Sequence, residues 1–483
     1  MSASVLTGLE PAAVFHWFEQ LAAIPRGSTR CRAVSDFCME FAKERGLRCR
    51  QDETCNVVIW KDASPGYEDH PAVMLQGHLD MVCVKDPDCE LDLRTDGIQL
   101  VVDGDRIRAR GTSLGGDNGI AVAMALALLD DDQAVHPPLE AVFTTDEEIG
   151  MDGAAALDAS DLRSRRLLNM DSEEEGVLTV SCAGGATCTI AMPFVTAPAS
   201  GDLYRLEISG LTGGHSGLEI HKGRANANVL LGNALRLLDR AAAIRLADLG
   251  GGTKDNAIPQ SAWALLVAPA NAGDILARAA EALEQEFRTA YGAMDPDLHL
   301  TFRRDNTGVA RIWDQDSTRR ILRLLGELPN GVQAMSREIE GLVETSLNLG
   351  VLKVAGGTVK LIFSVRSSVN RDKEYLTAIL KSTAEQYGAV YFQQGDYPAW
   401  EYRKDSPLRD TMAAVYEELH GAELKIAAIH AGLECGLLSA KLPGLDCVSF
   451  GPDLFNVHTT AESMSIASVA RTWRYLRAVL ERL

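Results

Sequence analysis

The chain of 483 residues is long enough for two or three domains, and 46% hydrophobic residues supply material for a buried core. A formal net charge of −20, with no basic cluster standing out, argues against a nucleic-acid partner. The start Met1-Ser-Ala-Ser-Val-Leu-Thr lacks a secretion signal's basic, then apolar pattern, no stretch has the uncharged length of a membrane span, and the ten cysteines match no zinc knuckle or redox pair, so a cytoplasmic protein with reduced thiols and no membrane association is expected.

In chain order, a first helix is predicted from Pro11 to Leu21, with proline suited to its first turn. Val57-Val-Ile-Trp, Val73-Met-Leu-Gln, Leu139-Glu-Ala-Val-Phe and Leu167-Leu-Asn-Met are continuous apolar runs, as in a sheet covered on both faces, and Ile120 to Leu129 makes an apolar helix between two of them. Ligands of such sheets gather at the carboxyl ends of the strands. After Ala183-Gly-Gly-Ala the pattern changes. Leu203 to Ser209 alternates as a strand, followed by a helix over 224–241, a strand over 262–267, a helix over 274–290 and a strand over 298–302. A weaker version follows, with helices over 317–328 and 373–387 and strands over 345–352, 358–365 and 389–394. The chain returns to the first sheet through Leu445 to Phe450 and closes on a helix over 465–483. The expected class is α/β: a mostly parallel mixed sheet with helices on both faces, over 1–185 and 398–483, plus an inserted α+β lid domain over 186–397 with two similar halves.

Five short segments place acids or histidines where strands hand over to loops. In Gly77-His-Leu-Asp, His78 and Asp80 are two apart and project to the same side of an extended end, so the carboxylate can orient the ring. Asp117 lies in Leu114-Gly-Gly-Asp-Asn-Gly ahead of an apolar helix, either as a ligand or as a plain cap, and the glycines favour a close backbone approach. Glu147 and Glu148 follow a buried strand; one can bind a metal while the other acts as a general base, or both can be solvated acids. Asp171 ends Asn169-Met-Asp as a ligand or a turn cap, and His458 stands in Val457-His-Thr-Thr-Ala-Glu. Together they form the histidine and carboxylate mixture that zinc-like ions prefer, and they predict a two-metal hydrolase. The glycine clusters do not form the dinucleotide-binding pattern.

These motifs resemble the co-catalytic dinuclear-zinc metallopeptidases that include carnosinases, peptidase T and the acylaminoacid deacylases. Cys182-Ala-Gly-Gly, Gly213-Gly-His-Ser-Gly, His430-Ala-Gly-Leu-Glu-Cys-Gly and Phe455-Asn-Val-His-Thr-Thr are most similar to the family's bacterial aminoacyl-histidine dipeptidase branch. The resemblance implies two divalent ions per chain, zinc first and cobalt or manganese as alternatives. It makes His78 and Asp171 ligands of one ion, Glu148 and His458 ligands of the other, Asp117 the bridge in a cis peptide with Asn118, Asp80 the orienter and Glu147 the base acting on a water shared by the ions. It also implies that His215 stabilises the oxyanion, Asn256 touches the substrate backbone, Arg366 pairs with the substrate carboxylate, and His430 and Glu434 contact the dipeptide. The expected function is hydrolysis of unblocked dipeptides, Xaa-His and carnosine included, by a monomer or homodimer. The rivals are a deacylase or carboxypeptidase on the same centre and a catalytically silent metal-binding scaffold.

Overall fold

The computed structural model describes residues 5–483; residues 1–4, the head of the segment read above as no secretion signal, lie outside the described residues. Contacts divide the chain into two units. The first runs to Cys182 and takes in Tyr402–Ala428 and Leu433–Leu483, while the second comprises Ala183–Glu401 and Ile429–Gly432.

The first unit holds an eight-stranded mixed sheet in the order Arg48–Gln51, Val57–Lys61, Leu139–Thr144, Val73–His78, Arg166–Asn169, Asp446–Ser449, Val177–Cys182, Lys425–Ile429. Its centre, from Leu139–Thr144 to Asp446–Ser449, is parallel, and the pairings just outside it are antiparallel. Every residue of Val73–His78 and Leu139–Thr144 is buried, which is why these segments are apolar without alternation. The intervening helix Gly116–Asp130 is buried along the whole of Ile120 to Leu129, each large side chain contributing about 1.5–3 kcal/mol by leaving water.

Register sets the site. His78 lies opposite Thr144, and Gln76 opposite Asn169. His78, the turn after Thr144 and the segment reaching Asp171 therefore leave the sheet together, at its carboxyl edge. A second, four-stranded sheet of order Leu454–Phe455, Ser463–Ser465, Arg106–Ala109, Leu100–Asp103 brings in the remaining parts. The loop 456–462 joins its first two strands, and Ser463–Ser465 pairs with Arg106–Ala109, from which the chain runs on to Asp117.

The second unit is a nine-stranded sheet of two four-stranded groups. One has the order His299–Arg304, Asp202–Ser209, Ala262–Ala268, Arg245–Gly251; the other has the order Val343–Ala355, Thr358–Ser367, Gly184–Pro193, Val390–Tyr397. They join where Gly250 and Gly251 pair with Lys353 and Leu352, and Gly331–Met335 is added on Val343–Ala355. Helices Ala227–Ala241, Gly273–Tyr291, Gln315–Glu327 and Asn370–Gln386 supply the rest of one apolar core around Leu231, Trp313 and Phe363.

The ends of the expected 186–397 insert differ from this division. Gly184 and Gly185, where the sequence pattern changes, begin a strand: a side chain at Gly184 would meet the backbone of Tyr397 to Ala399, and one at Gly185 the ring of Tyr397. Ile429–Gly432, expected in the closing segment 398–483, groups with the second unit. The helix expected from 224 starts at Ala227 because the Asn226 side chain accepts from the amides of Asn228 and Val229. The helix Pro407–His420, capped by Ser406, had no counterpart in the sequence reading. All ten cysteines are free, and no described helix is long and apolar enough to cross a membrane.

Candidate metal centre

His78 ends its strand with the side chain 1% exposed, its Nε2 3.1 Å from Asp117 Oδ1 and 3.5 Å from Asp171 Oδ1. His458 Nε2 lies 3.1 Å from Asp117 Oδ2 and 3.0 Å from Glu148 Oε2. Asp117 thus turns one oxygen toward each imidazole. The Asp117–Asn118 peptide bond is cis. Donor atoms of His78, Asp117 and Glu148 lie within 4.8 Å of one another, close enough for a single ion to take all three. The division of the two imidazoles between the two Asp117 oxygens, each with a further carboxylate, instead matches a donor set for two.

Two neighbouring side chains hold this set in place. Asp80 Oδ1 lies 3.4 Å from His78 Nδ1, on the ring edge opposite Asp117, and its carboxylate accepts from Ser28 Oγ at 2.9 Å and from the amides of Glu147 and Glu148 at 3.1 and 3.3 Å. One buried carboxylate therefore steadies both the histidine and the turn carrying the two glutamates. Asn118 accepts from the His78 amide at 3.1 Å and donates to the Met170 carbonyl at 2.8 Å, tying the His78 and Asp171 segments together. His458 and Asn456 have φ of 62° and 51°, left-handed backbone that asparagine tolerates and that costs about 1–2 kcal/mol at an ordinary side chain.

The packed carboxylates perturb one another and the two imidazoles. Burial, joined by Asp117 and Glu148, pushes the Asp171 carboxyl up to about 6 against the pull of His78. Burial, with Asp171, Glu434 and Glu148, also raises Glu147 well above the ordinary carboxylate range. Burial opposes a charge on His78, but Asp171, Asp117 and Asp80 outweigh it and raise its pKa well above normal. Hydrogen bonds to Asp117 and Glu148 push His458 up to about 10. In the protein alone, protons on the imidazoles offset packed carboxylates that would be costly to bury unpaired. A divalent cation would supply the same positive charge and free both imidazoles to act as ligands.

Glu434 is fully buried, close enough to Glu147 to raise that carboxyl. At the start of helix Glu434–Lys441, its Oε2 accepts from Gln76 Nε2 and Thr144 Oγ1, both at 2.6 Å, so it braces the strands that carry His78 and Glu147. Burial above all pushes its carboxyl up to about 7. His430 is 6% exposed; its Nε2 lies 2.7 Å from Ser346 Oγ, and burial followed by Arg366 pushes its pKa down to about 3.

Within the second unit, His215 and Asn256 line a cleft of about 510 Å³ with Gly214 and Lys254. His215 Nδ1 accepts from the amides of Gly217 and Leu218 at 3.2 and 3.1 Å. The ring proton must then sit on Nε2, making that atom a donor. Burial and Arg366 lower the His215 pKa, which favours this neutral form. Arg366 donates to Tyr397 Oη at 3.2 Å, its buried Nε has no partner, and no described carboxylate pairs with it.

Residues 74–482 match the model of Peptidase family M20/M25/M40. The chain is 37% identical to the cytosol non-specific dipeptidase of Escherichia coli over 483 residues, 99% of each protein. Its structure matches the aminoacylhistidine dipeptidase of Vibrio alginolyticus with a TM-score of 0.94 and 36% identity, covering 100% of this chain and 98% of that one. The aminopeptidase PepT of Bacillus cereus, at TM-score 0.57 and 14% identity over 98% of each chain, shares the fold.

Proposed function

The chain belongs to peptidase family M20/M25/M40, and we propose that it is a cytoplasmic, metal-dependent dipeptidase that cleaves unblocked dipeptides, Xaa-His dipeptides such as carnosine among them. The observation that carries this reading is the Asp117 carboxylate between two imidazoles, with Asp171 beside His78 and Glu148 beside His458. Dipeptides enter the reading through the two full-length relatives, one named a non-specific dipeptidase and the other an aminoacylhistidine dipeptidase.

His78, Asp171, Asp117, Glu148 and His458 would hold two divalent ions, zinc by the mixture of nitrogen and oxygen donors, with cobalt or manganese as substitutes. Such ions, when bound, polarise a peptide carbonyl and make water more acidic. Glu147, half-buried beside the donors, takes a proton from the attacking water and returns it to the leaving amine. Asp80 keeps His78 and the Glu147–Glu148 turn in place while this proton moves. His215 Nε2–H donates to the oxygen that gains charge at the scissile carbonyl, with Asn256 beside it on the substrate backbone. Arg366, a guanidinium with no carboxylate of its own, receives the C-terminal carboxylate of the substrate.

The test is a panel of free and N-acetylated dipeptides, assayed with the metal stripped and then restored. Free dipeptides, Xaa-His included, should be cleaved only by metal-restored protein. Preference for the acetylated peptides would replace this reading with a deacylase, and full activity without metal would overturn it.

A further inference from the structure

The turn Leu114–Asp117, which delivers the Asp117 carboxylate, is gripped on both sides by buried charge. Glu462, 2% exposed, accepts from four consecutive amides: Leu114 and Gly115 on Oε2 at 2.8 and 3.1 Å, and Gly116 and Asp117 on Oε1 at 2.9 and 3.5 Å. Arg26, 3% exposed, donates to the carbonyls of Leu79 and Asp80 at 3.0 and 3.1 Å and to the carbonyl of Gly115. One guanidinium thereby ties the segment after His78 to the turn before Asp117, while the carboxylate on the other side comes from the loop that carries His458.

The glycines of Leu114-Gly-Gly-Asp-Asn-Gly follow from this grip. A side chain at Gly115 would strike Arg26 and Met81, one at Gly119 would strike Arg26, and one at Gly116 would crowd Leu454 and Glu462. Gly115 also has φ 65°. The close backbone approach belongs to these two residues.

An ordinary helix cap is local, as at Asn226, Asp314, Ser406 and Ser465. Glu462 lies 345 to 348 residues from the amides it accepts, and only four after His458. We infer that Glu462, opposed by Arg26, is a positioning residue that fixes the Asp117 carboxylate between His78 and His458. This rests on the metal centre proposed above.

The test titrates metal-stripped full-length protein with Zn²⁺ against a competing chelator, for the parent, Glu462→Gln, Glu462→Asp and Ser406→Ala. Glutamine keeps the shape but turns an amide against two of the N–H groups. It should lower Zn²⁺ affinity by about 10- to 100-fold, the usual effect of losing a group that orients ligands. Aspartate keeps the charge with a shorter reach and should lower affinity less; if the glutamine variant fails to fold, the aspartate variant decides against the same control. Ser406→Ala removes a cap bonded to Arg409 and Asp446 rather than to any donor segment, and should lower the melting temperature with Zn²⁺ affinity unchanged. Glu462 variants that lose no more Zn²⁺ affinity than Ser406→Ala would make Glu462 a structural cap and overturn the inference. A parent that takes up no Zn²⁺ would overturn the metal reading itself, and this inference with it.

Discussion

Replacing Asp80 with asparagine tests how far the proposed catalysis depends on a carboxylate whose partners are His78, Ser28 and the amides of Glu147 and Glu148. Asp80 is fully buried; Oδ1 faces His78 Nδ1 and the Glu147 amide, and Oδ2 faces Ser28 Oγ and the Glu148 amide. Asparagine keeps the volume but converts one of these oxygens to a donor, so whichever way it turns, one backbone amide loses its acceptor. An unsatisfied buried donor costs about 1–3 kcal/mol, and urea unfolding of the metal-free protein should report a loss in that range. The same variant removes the negative charge that holds the His78 ring. At about 1.4 kcal/mol per factor of ten, turnover of a free dipeptide should fall about 10- to 100-fold, with metal affinity falling over a similar range. Turnover and metal affinity both within twofold of the parent would show that Asp80 orients nothing that matters to the reaction.

The other predictions address separate roles. Glu147→Gln should keep the metal content measured by elemental analysis while turnover falls by about 100- to 10,000-fold, as for loss of a general base; unaltered turnover would remove Glu147 from the mechanism. Arg366→Ala should raise KM for a free dipeptide about 10- to 100-fold and leave the C-terminal amide nearly unaffected, since only the free acid loses a charge-assisted pair. Equal shifts for the two substrates would refute that role. In the metal-free protein His458 is pushed up to about 10 from an ordinary value of about 6.5. Its imidazolium contribution is therefore complete below about pH 6.5 and lost as pH rises through about 10. The stability difference between parent and His458→Ala should shrink across that window, and a difference that grows would contradict the ion pairs described.

Three of the candidate site residues are legible in the sequence because they end or follow a strand whose burial leaves its own mark. Val73–His78 and Leu139–Thr144 are buried throughout and read as strands, so His78, Glu147 and Glu148 fall at recognisable strand ends. The supports are harder to see. Arg26 stands alone between Pro25 and Gly27, and its three carbonyl partners come from segments distant in the chain. Glu462 belongs to a recognised motif, yet its task depends on the pairing of Ser463–Ser465 with Arg106–Ala109, which no local pattern announces. Glu434 enters only through the resemblance, because its partners Gln76 and Thr144 lie inside the sheet and no local pattern announces them. At Gly184 and Gly185, too, nothing local reveals the chain that passes over them.

The hairpin that carries His458 gives the centre a place in time. Asp117 meets His458 across 341 residues of chain, so the second imidazole arrives only when a segment close to the described carboxyl terminus folds back. The entropic cost of so long a closure rises only slowly with length, by about 0.6 kcal/mol per doubling, but the contact must wait for that segment to be synthesised. During translation, His78, Asp117, Glu148 and Asp171 all emerge from the ribosome hundreds of residues before their last companion. A nascent chain stalled short of Leu454 should therefore hold zinc more weakly than the finished protein, measured on arrested chains with a zinc-responsive dye. Equal retention would mean that the early donors suffice alone.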